Sequence, residues 1–314
     1  MATVHIGTLV AEDGSSRPVA IKQLRRDFAN DPRAMTSLAD EARIAAHVVH
    51  PNVVAIVEVV TAEKDLFIVM DYVEGASLAA LLGAAAERGE PIPPAISLSF
   101  VTGTLAGLHA AHEARDGTGA RLGVIHRDVS PQNVIVGRDG SARVLDFGIA
   151  KAIGRSYETQ QNEIRGKLGY MAPEQLKRGV VDRRVDVYAA GVVTWEALTG
   201  ERLFRGSTER ETLKKVLQGA VAPPSTRAPG IPPALDAVVL RALARDPDAR
   251  FATAEEMRRA IAAAARVASP AEAARWAERS TTPFIDALQL DLEETADEGK
   301  ATALHTASST IPGS

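Results

Sequence analysis

Apolar and polar positions along the first 73 residues follow the short-period pattern of β-strands, with one helical interruption. A polar turn cluster at residues 12–16 separates two apolar runs and predicts a β-hairpin. Residues 34–49 carry apolar side chains at helical spacing, and Pro51 prevents that helix from continuing. We therefore expect a small sheet with one helix. The predicted strands are residues 4–10, 19–21, 53–60 and 66–72.

The remainder of the chain has mainly helical periodicity. A polar, glycine-bearing stretch at residues 115–121 predicts an exposed loop, and short strands are predicted at 133–136 and 142–145. After a helix at 270–278, an end rich in Ser, Thr, Glu and Ala is expected to be disordered. The other predicted helices are residues 78–88, 94–113, 186–199, 209–217, 234–243 and 254–267.

Composition narrows the possible chemistry. The 314 residues include 36 Lys and Arg against 40 Asp and Glu, and this net charge of -4 makes nucleic acid a poor partner. Cysteine is absent, so disulfides, zinc–thiolate sites and thiol nucleophiles are excluded. No stretch approaches the ~18 consecutive apolar residues of a membrane helix, and residues 1–10 lack the pattern of a signal peptide. We expect a cytoplasmic protein without a membrane span.

Two motifs place acidic and amide side chains beside predicted strands. Residues 126–133 read His-Arg-Asp-Val-Ser-Pro-Gln-Asn, and an Asp-Phe-Gly sequence begins at Asp146 after the next strand. Metal-assisted phosphoryl transfer needs an acid at the attacking hydroxyl, here Asp128, and oxygen ligands for Mg²⁺, here Asn133 and Asp146. Asp-Phe-Gly alone most often marks a turn, but the pairing and order of the motifs make the signal strong.

Charged residues elsewhere fit the same chemistry. Lys22 ends a Val-Ala-Ile-Lys sequence on a predicted strand, and Glu41 lies on the helix that follows. Either residue alone is most simply a solvated side chain, but together they match an ion pair that positions a lysine on the α- and β-phosphates. An Ala-Pro-Glu sequence ending at Glu174, and a helix beginning at Asp186, follow in the expected order.

As a set, these motifs resemble the eukaryotic-type protein kinase domain, and most closely the bacterial serine/threonine kinases, over about residues 1–267. The resemblance implies an α+β, bilobal fold. The N-lobe (1–73) would be small and mostly β with one helix, the C-lobe (74–267) larger and mostly α, and residues 268–314 a helix and disordered tail. It also implies ATP and Mg²⁺ between the lobes and protein substrates phosphorylated on Ser or Thr. The oligomeric state stays open.

The resemblance assigns a role to each motif residue. Asp128 would be the catalytic base, and Asn133 and Asp146 would be the Mg²⁺ ligands. Lys22 and Glu41 would form the pair that positions the phosphates.

The resemblance also predicts an adenine site. Met70 would be the gatekeeper, and the backbones of Asp71 and Val73 would form the hinge that hydrogen-bonds adenine. Ordinary core packing remains the alternative for the apolar residues that would sandwich the purine. These are Val4, Ala20 and Ile135.

Arg127, before the catalytic Asp, usually accompanies control by phosphorylation of the activation segment, which runs here from Asp146 to Glu174. Arg250 matches a buried arginine that pairs with Glu174 and holds the fold. The candidate phosphoacceptors are Ser156, Tyr157 and, preferred among them, Thr159.

Two positions depart from the family pattern. The lysine usually found two residues after the catalytic Asp is Ser130 here, and the threonine usually found after Gly166 is Lys167. We hypothesise that the two have exchanged places, so that Lys167 restores the positive charge and Ser130 the hydroxyl. The alternative is an exposed Lys167 and a site that lacks a cation.

The glycine-rich loop is incomplete. Val4 fits its final valine and Ala2 the position of its third glycine, so the first two glycines and the first strand would precede Met1. We expect a misplaced start or a truncated chain. The alternative is a natural product with half a loop, weak ATP binding and an unpaired sheet edge.

Two other functions remain in view. A pseudokinase scaffold would explain the incomplete loop and Ser130, although the complete set of motif residues argues against it. A small-molecule phosphotransferase of related fold is disfavoured by the Ala-Pro-Glu sequence and the long activation segment, which serve protein substrates.

Overall fold

The computed structural model describes residues 2–24, 32–62, 65–147, 167–177 and 179–297. Within these ranges the first lobe contains strands that form one antiparallel sheet and a helix packed beside it. The elements are β1 (Ala2–Val10), β2 (Ser16–Leu24), α1 (Pro32–Ala46), β3 (Ile56–Ala62) and β4 (Asp65–Asp71). The strand order is β1-β2-β4-β3, which confirms the expected small sheet with one helix.

The hairpin between β1 and β2 turns at the polar cluster that the sequence indicated. Gly14 has φ +82°, a left-handed conformation that glycine adopts without steric cost. The Ser15 amide and hydroxyl donate to Asp13 Oδ1 at 2.9 and 2.6 Å. These hydrogen bonds hold the pKa of Asp13 below its usual value, and the bond from the Ser15 hydroxyl contributes most.

The second lobe is mostly helical. It contains a small antiparallel sheet with the strand order β5-β6-β7, together with eight helices among the described residues. The strands are β5 (Gly75–Ser77), β6 (Val134–Gly137) and β7 (Ala142–Val144). The helices are α2 (Leu78–Arg88), α3 (Pro94–His112), α4 (Pro173–Leu176), α5 (Arg184–Thr199), α6 (Glu209–Gln218), α7 (Pro233–Ala242), α8 (Ala254–Ala264) and α9 (Pro270–Asp297).

Helices α3 and α5 form the centre of the second lobe. Every residue of α5 from 185 to 198 is buried, as expected for a helix that is apolar around its whole circumference. Ser97 of α3 donates to the carbonyl of Ala197 at 2.8 Å, which satisfies a buried hydroxyl where the helices meet. Helix α5 ends at Gly200, whose φ is +71°.

Hydrogen bonds from the residues before β3 connect the two lobes. Val54 N–H donates to the carbonyl of Val144 at 3.0 Å, and Asn52 Nδ2 donates to the carbonyl of Ala142 at 2.8 Å. These bonds explain why β3 begins at Ile56 rather than at residue 53 as predicted, because the preceding residues pair with β7 instead of β4.

Helix α9 is longer than the predicted helix, which ended at residue 278. Every fourth side chain from residue 273 to residue 285 is buried against the second lobe, so the buried stripe continues beyond residue 278. The buried residues are Ala273, Ala277, Thr281 and Ile285. Thr281 Oγ1 donates to the Ala277 carbonyl at 2.8 Å, so its hydroxyl is satisfied within the helix.

Helix α9 docks on α3 and on the β6–β7 turn. The Trp276 and Phe100 ring centroids are 5.6 Å apart. At Gly140, a Cβ would lie 2.4 Å from the Ala274 backbone nitrogen, so the turn and the helix meet at van der Waals contact. A cleft of about 760 Å³ is lined by this helix, the same turn and the hinge, residues 71–74. Among the described residues, no helix is long and apolar enough to cross a bilayer.

Candidate active site

The catalytic loop, residues 126–133, is anchored to a buried carboxylate of helix α5. Asp186 accepts hydrogen bonds of 2.8 Å from the His126 and Arg127 amides, and His112 Nε2 lies 2.8 Å from it. Burial alone would raise the pKa of Asp186, but the hydrogen bond from His112 and the nearby histidines hold it below its usual value. The hydrogen bonds from these two backbone amides also stabilise Arg127 in a left-handed conformation, with φ +61°.

His126 connects the catalytic loop to the segment that follows β7. The Asp128 amide donates to His126 Nδ1 at 3.2 Å, so Nδ1 is the acceptor and Nε2 carries the proton. Nε2 therefore donates to the Leu145 carbonyl, 2.7 Å away. The ring also contacts Phe147, with centroids 5.0 Å apart. Because His126 contacts the neighbours of both acids, it fixes the separation of Asp128 and Asp146.

Asp128 accepts hydrogen bonds from the side chains of Asn133 and Lys167. Asn133 Nδ2 donates to Asp128 Oδ2 at 3.0 Å and to the Asp128 carbonyl at 2.7 Å. Lys167 Nζ donates to the same carboxylate oxygen at 2.7 Å. The structure thus brings together three predicted site residues that come from the catalytic loop and from the far end of the activation segment.

Asp146 forms an ion pair with the lysine of β2. Lys22 Nζ lies 2.7 Å from Asp146 Oδ2, and the two side chains are 20% and 29% exposed. Asp146, like Arg127, is a non-glycine residue in the left-handed region, with φ +54°. Backbone strain of this kind concentrates at functional sites.

Glu41 lies apart from Lys22 in this structure. Among the described residues, no ion pair joins the two, and Glu41 Oε2 is buried without a hydrogen-bond partner. Burial raises the pKa of Glu41, and the positive charge of Arg127 opposes the rise. Arg127 Nε is itself buried without a partner. The charge of Arg127 in the catalytic loop thus affects the Glu41 carboxylate, whereas no ion pair in the part of the chain that the structure describes joins Glu41 to Lys22.

Most of the predicted adenine residues share one apolar cluster between the lobes. Ala20, Met70, Val73 and Ile135 all belong to it. Val4 is not buried with them, since 60% of its surface is exposed. In the hinge, the Asp71 amide donates to the Ala55 carbonyl at 3.0 Å, so a contact between Asp71 and a base would involve its carbonyl.

Ser130 does not provide the hydroxyl contact that the exchange hypothesis requires. Its side chain is buried, and Oγ has no hydrogen-bond partner among the described residues. Lys167 thus contacts Asp128 and Ser130 makes no such contact, and the exchange of their roles stays a prediction. The candidate phosphoacceptors Ser156, Tyr157 and Thr159 lie outside the described residues.

The predicted pair of Glu174 and Arg250 is present. Arg250 Nη1 and Nη2 donate to the two Glu174 carboxylate oxygens at 2.6 and 2.8 Å. The guanidinium also lies over the Tyr188 ring, 4.8 Å from its centroid. This pair attaches the end of the activation segment to the core of the second lobe.

Sequence reasoning did not assign a role to His112, which supports the catalytic loop through Asp186. The available signal was a polar residue in the buried stripe of an apolar helix, since its neighbours Leu108 and Ala111 are fully buried. A buried polar side chain of this kind requires a partner.

The donor set fits a magnesium ion. Asn133 and Asp146 offer an amide and a carboxylate oxygen, which are the hard ligands that Mg²⁺ takes, and Mg²⁺ usually keeps water and phosphate oxygens as its other ligands. Asn133 Nδ2 is engaged with Asp128, so Oδ1 is the atom of that side chain that would hold the ion. Among the described residues, no group of three or more His, Cys, Asp or Glu gathers as a closed metal cage.

Comparison with known proteins identifies the protein family. Residues 6–260 match the protein kinase domain, and the chain belongs to this family. Over 255 residues the chain is 39% identical to the tyrosine-protein kinase MasK of Myxococcus xanthus. It is 38% identical over 263 residues to the serine/threonine-protein kinase PknB of Mycobacterium leprae, and 33% identical over 257 residues to PrkC of Bacillus subtilis.

These alignments cover 81%, 82% and 82% of the chain but only 40%, 40% and 37% of the relatives. The chain thus spans less than half the length of the curated relatives it matches. Among solved structures, the kinase domain of Mycobacterium tuberculosis PknI superposes with a TM-score of 0.60 at 26% identity. That match covers 79% of this chain and 86% of the other, so the α+β, bilobal kinase fold predicted from the sequence is confirmed.

Proposed function

We propose that this chain is an ATP-dependent serine/threonine protein kinase that transfers the γ-phosphoryl group of ATP to protein hydroxyls. The observation that carries the proposal is the hydrogen bonding around the acids: His126 accepts from the Asp128 amide and donates to the carbonyl of Leu145, the residue before Asp146, while Asn133 donates to the Asp128 carboxylate. An acid at the attacking hydroxyl and two oxygen ligands for Mg²⁺ are the groups that phosphoryl transfer requires. Relatives named as serine/threonine kinases support the residue class of the acceptor.

Each side chain has a distinct part in this proposal. Asp128 orients the substrate hydroxyl and accepts its proton, while Asn133 and Asp146 hold Mg²⁺, which supplies positive charge to the phosphates. Lys22, with Glu41 as its partner in the active state, positions the α- and β-phosphates.

The cluster of Ala20, Met70, Val73 and Ile135 supports an apolar site for adenine. In this proposal Val4 also contacts the purine, and the backbone of Asp71 in the hinge hydrogen-bonds it. Since the cytoplasm contains ATP, it is the location we propose for this domain.

Regulation by phosphorylation of the activation segment belongs to the same proposal. Arg127 follows the anchored His126 and carries a guanidinium whose Nε is buried without a partner. A phosphate group on the activation segment would provide charge-assisted hydrogen bonds for it. No specific observation favours a scaffold without turnover, because the acids and the amide are all present and gathered.

The test is autophosphorylation with radiolabelled Mg-ATP, and Asp128→Asn is the control. We expect the variant to incorporate label about 10²–10⁴-fold more slowly, because it loses the general base. Phosphoamino-acid analysis should locate the label on Ser and Thr. Equal incorporation by the Asp128→Asn variant would overturn the proposed function, and label confined to Tyr would overturn the acceptor class.

A further inference from the structure

A lysine from outside the catalytic loop reaches the carboxylate of Asp128. Lys167 Nζ lies 2.7 Å from Oδ2, and the side chains are only 28% and 12% exposed, so the pair is not a freely solvated contact. We propose that Lys167 is a catalytic residue whose ammonium group stabilises the phosphoryl group during its transfer. This inference rests on the proposed kinase function.

The catalytic loop lacks a cation after Asp128. Residues 129–133 are Val, Ser, Pro, Gln and Asn, and the Ser130 side chain is buried. Arg127 precedes the acid, and its Nε is buried without a hydrogen-bond partner. Lys22 is bound to Asp146 on the other side of His126. Lys167 thus supplies positive charge beside Asp128 that the loop itself does not provide.

The proposed reaction places new negative charge where this ammonium group lies. The substrate oxygen forms a bond to Pγ while the bond between Pγ and the bridging β-oxygen breaks. The hydroxyl proton passes to Asp128, and ADP leaves with the electrons of the broken bond. Charge spreads over the equatorial oxygens of the group in transfer. A preorganised cation beside the attacking oxygen stabilises this charge, and removing such a group typically slows a reaction by about 10²–10³-fold.

The backbone after Lys167 is firmly attached to the second lobe. Leu168 and Tyr170, in the 3-10 turn that follows, are buried. The Tyr170 hydroxyl donates to Glu196 Oε2 on helix α5 at 2.7 Å. The ammonium group is therefore presented from a fixed base. Because Lys167 lies in the activation segment, correct placement of that segment brings this ammonium group to the site of the proposed reaction.

The alternative role is an ion pair that only orients Asp128. The two roles differ in what they predict for nucleotide binding. A cation that contacts the transferred group improves binding of a nucleoside triphosphate over a diphosphate, whereas an orienting ion pair treats both alike.

The experiment compares Lys167→Met, Lys167→Arg and Lys177→Met with the wild-type chain. Lys177 is an exposed lysine ten residues further along the chain and serves as the matched control. Calorimetry measures binding of the magnesium complexes of ADP and of AMP-PCP, a triphosphate analogue that cannot be cleaved. Autophosphorylation and casein phosphorylation give kcat and the KM for ATP, and circular dichroism verifies folding.

For Lys167→Met we expect kcat to fall about 10²-fold and the KM for ATP to rise only several-fold. AMP-PCP should bind several-fold more weakly and ADP as before. Lys167→Arg should retain most of the selectivity for the triphosphate, and Lys177→Met should match the wild type. Equal weakening of both nucleotides, or no loss of AMP-PCP affinity, would overturn the inference even if kcat falls. If the wild-type chain transfers no more label than Asp128→Asn, the proposed function fails, and the binding comparison still decides the role of Lys167.

Discussion

Lys22 Nζ lies 2.7 Å from Oδ2 of Asp146, so the lysine of β2 neutralises the acid that follows β7. The same carboxylate is the proposed ligand of Mg²⁺, and a lysine and a metal ion compete for it. Glu41 Oε2 is buried without a hydrogen-bond partner, so this carboxylate retains an unused acceptor. We therefore expect metal–nucleotide binding to transfer Lys22 from Asp146 towards Glu41, which would form the predicted ion pair.

Replacement of Lys22 should separate its catalytic role from its structural role. We predict that Lys22→Met lowers autophosphorylation by about 10²-fold or more, because a positive charge on the phosphates is lost. The melting temperature should change little, since a partly exposed ion pair contributes only about 0–1 kcal/mol. Lys177→Met is the control for both measurements. A Lys22→Met protein that transfers phosphate at the wild-type rate would contradict the proposed contact with nucleotide.

Glu41 should destabilise the fold once it ionises. Its pKa is raised by burial, against the opposing charge of Arg127, so the folded chain holds this proton over a pH range in which the unfolded chain has released it. Stability therefore falls as pH rises through the interval above the ordinary glutamate pKa. We predict that Glu41→Gln melts at a higher temperature than the wild type at pH 7, and that the difference shrinks towards pH 4.

Thermal melts of Glu41→Gln between pH 4 and 8 test this prediction. Glu87→Gln, at an exposed position on α2, is the matched control. The same Glu41→Gln protein should phosphorylate more slowly, because Lys22 loses its partner in the active state. A melting difference that is constant with pH would show that Glu41 titrates alike in both states, against the prediction.

The ion pair of Glu174 and Arg250 should be essential for stability. The Arg250 side chain is fully buried, and its loss would leave the Glu174 carboxylate without its partner in the core. Removing one partner of a buried pair typically costs about 3–5 kcal/mol. We predict a loss of that size in the free energy of unfolding for Arg250→Ala, measured by urea denaturation.

Arg259→Ala is the matched control, because Arg259 pairs with Glu255 at 2.7 Å but is 75% exposed. Its loss should cost about 0.5 kcal/mol or less. Similar losses for the two variants would mean that burial does not distinguish these pairs.

The relative placement of the acids could be predicted from the sequence because it depends on short local segments. Asp128 and Asn133 lie five residues apart in one loop, and Asp146 follows the next strand. The partner of Lys22 was less predictable. The sequence pattern offered Glu41, whereas the structure pairs Lys22 with Asp146, and the choice between them depends on where helix α1 packs. No local pattern determines that position.

The extent of α9 was also beyond the sequence pattern. Thr281, Thr282 and Pro283 resemble the end of a helix, because β-branched residues and proline are poor helix formers. The helix continues because Thr281 and Ile285 extend the buried stripe and gain contacts with the second lobe. Tertiary packing of this kind outweighs intrinsic propensity.

The contact of α9 with the β6–β7 turn gives a sharp test of whether this helix belongs to the folded domain. Gly140 and Gly14 both have left-handed backbones, with φ +76° and +82°, so replacement by alanine causes similar backbone strain at each. At Gly14 nothing lies within 4 Å of the added Cβ, whereas at Gly140 it would meet the Ala274 backbone nitrogen at 2.4 Å.

We predict that Gly14→Ala costs about 1–2 kcal/mol in the free energy of unfolding, which is the strain alone. Gly140→Ala should cost at least about 1 kcal/mol more, because a backbone contact must open to admit the methyl group. It should also increase hydrogen exchange at the amides of α9, and Gly14→Ala should not. Equal losses for the two variants, with α9 equally protected, would show that the helix is not docked on this turn in solution.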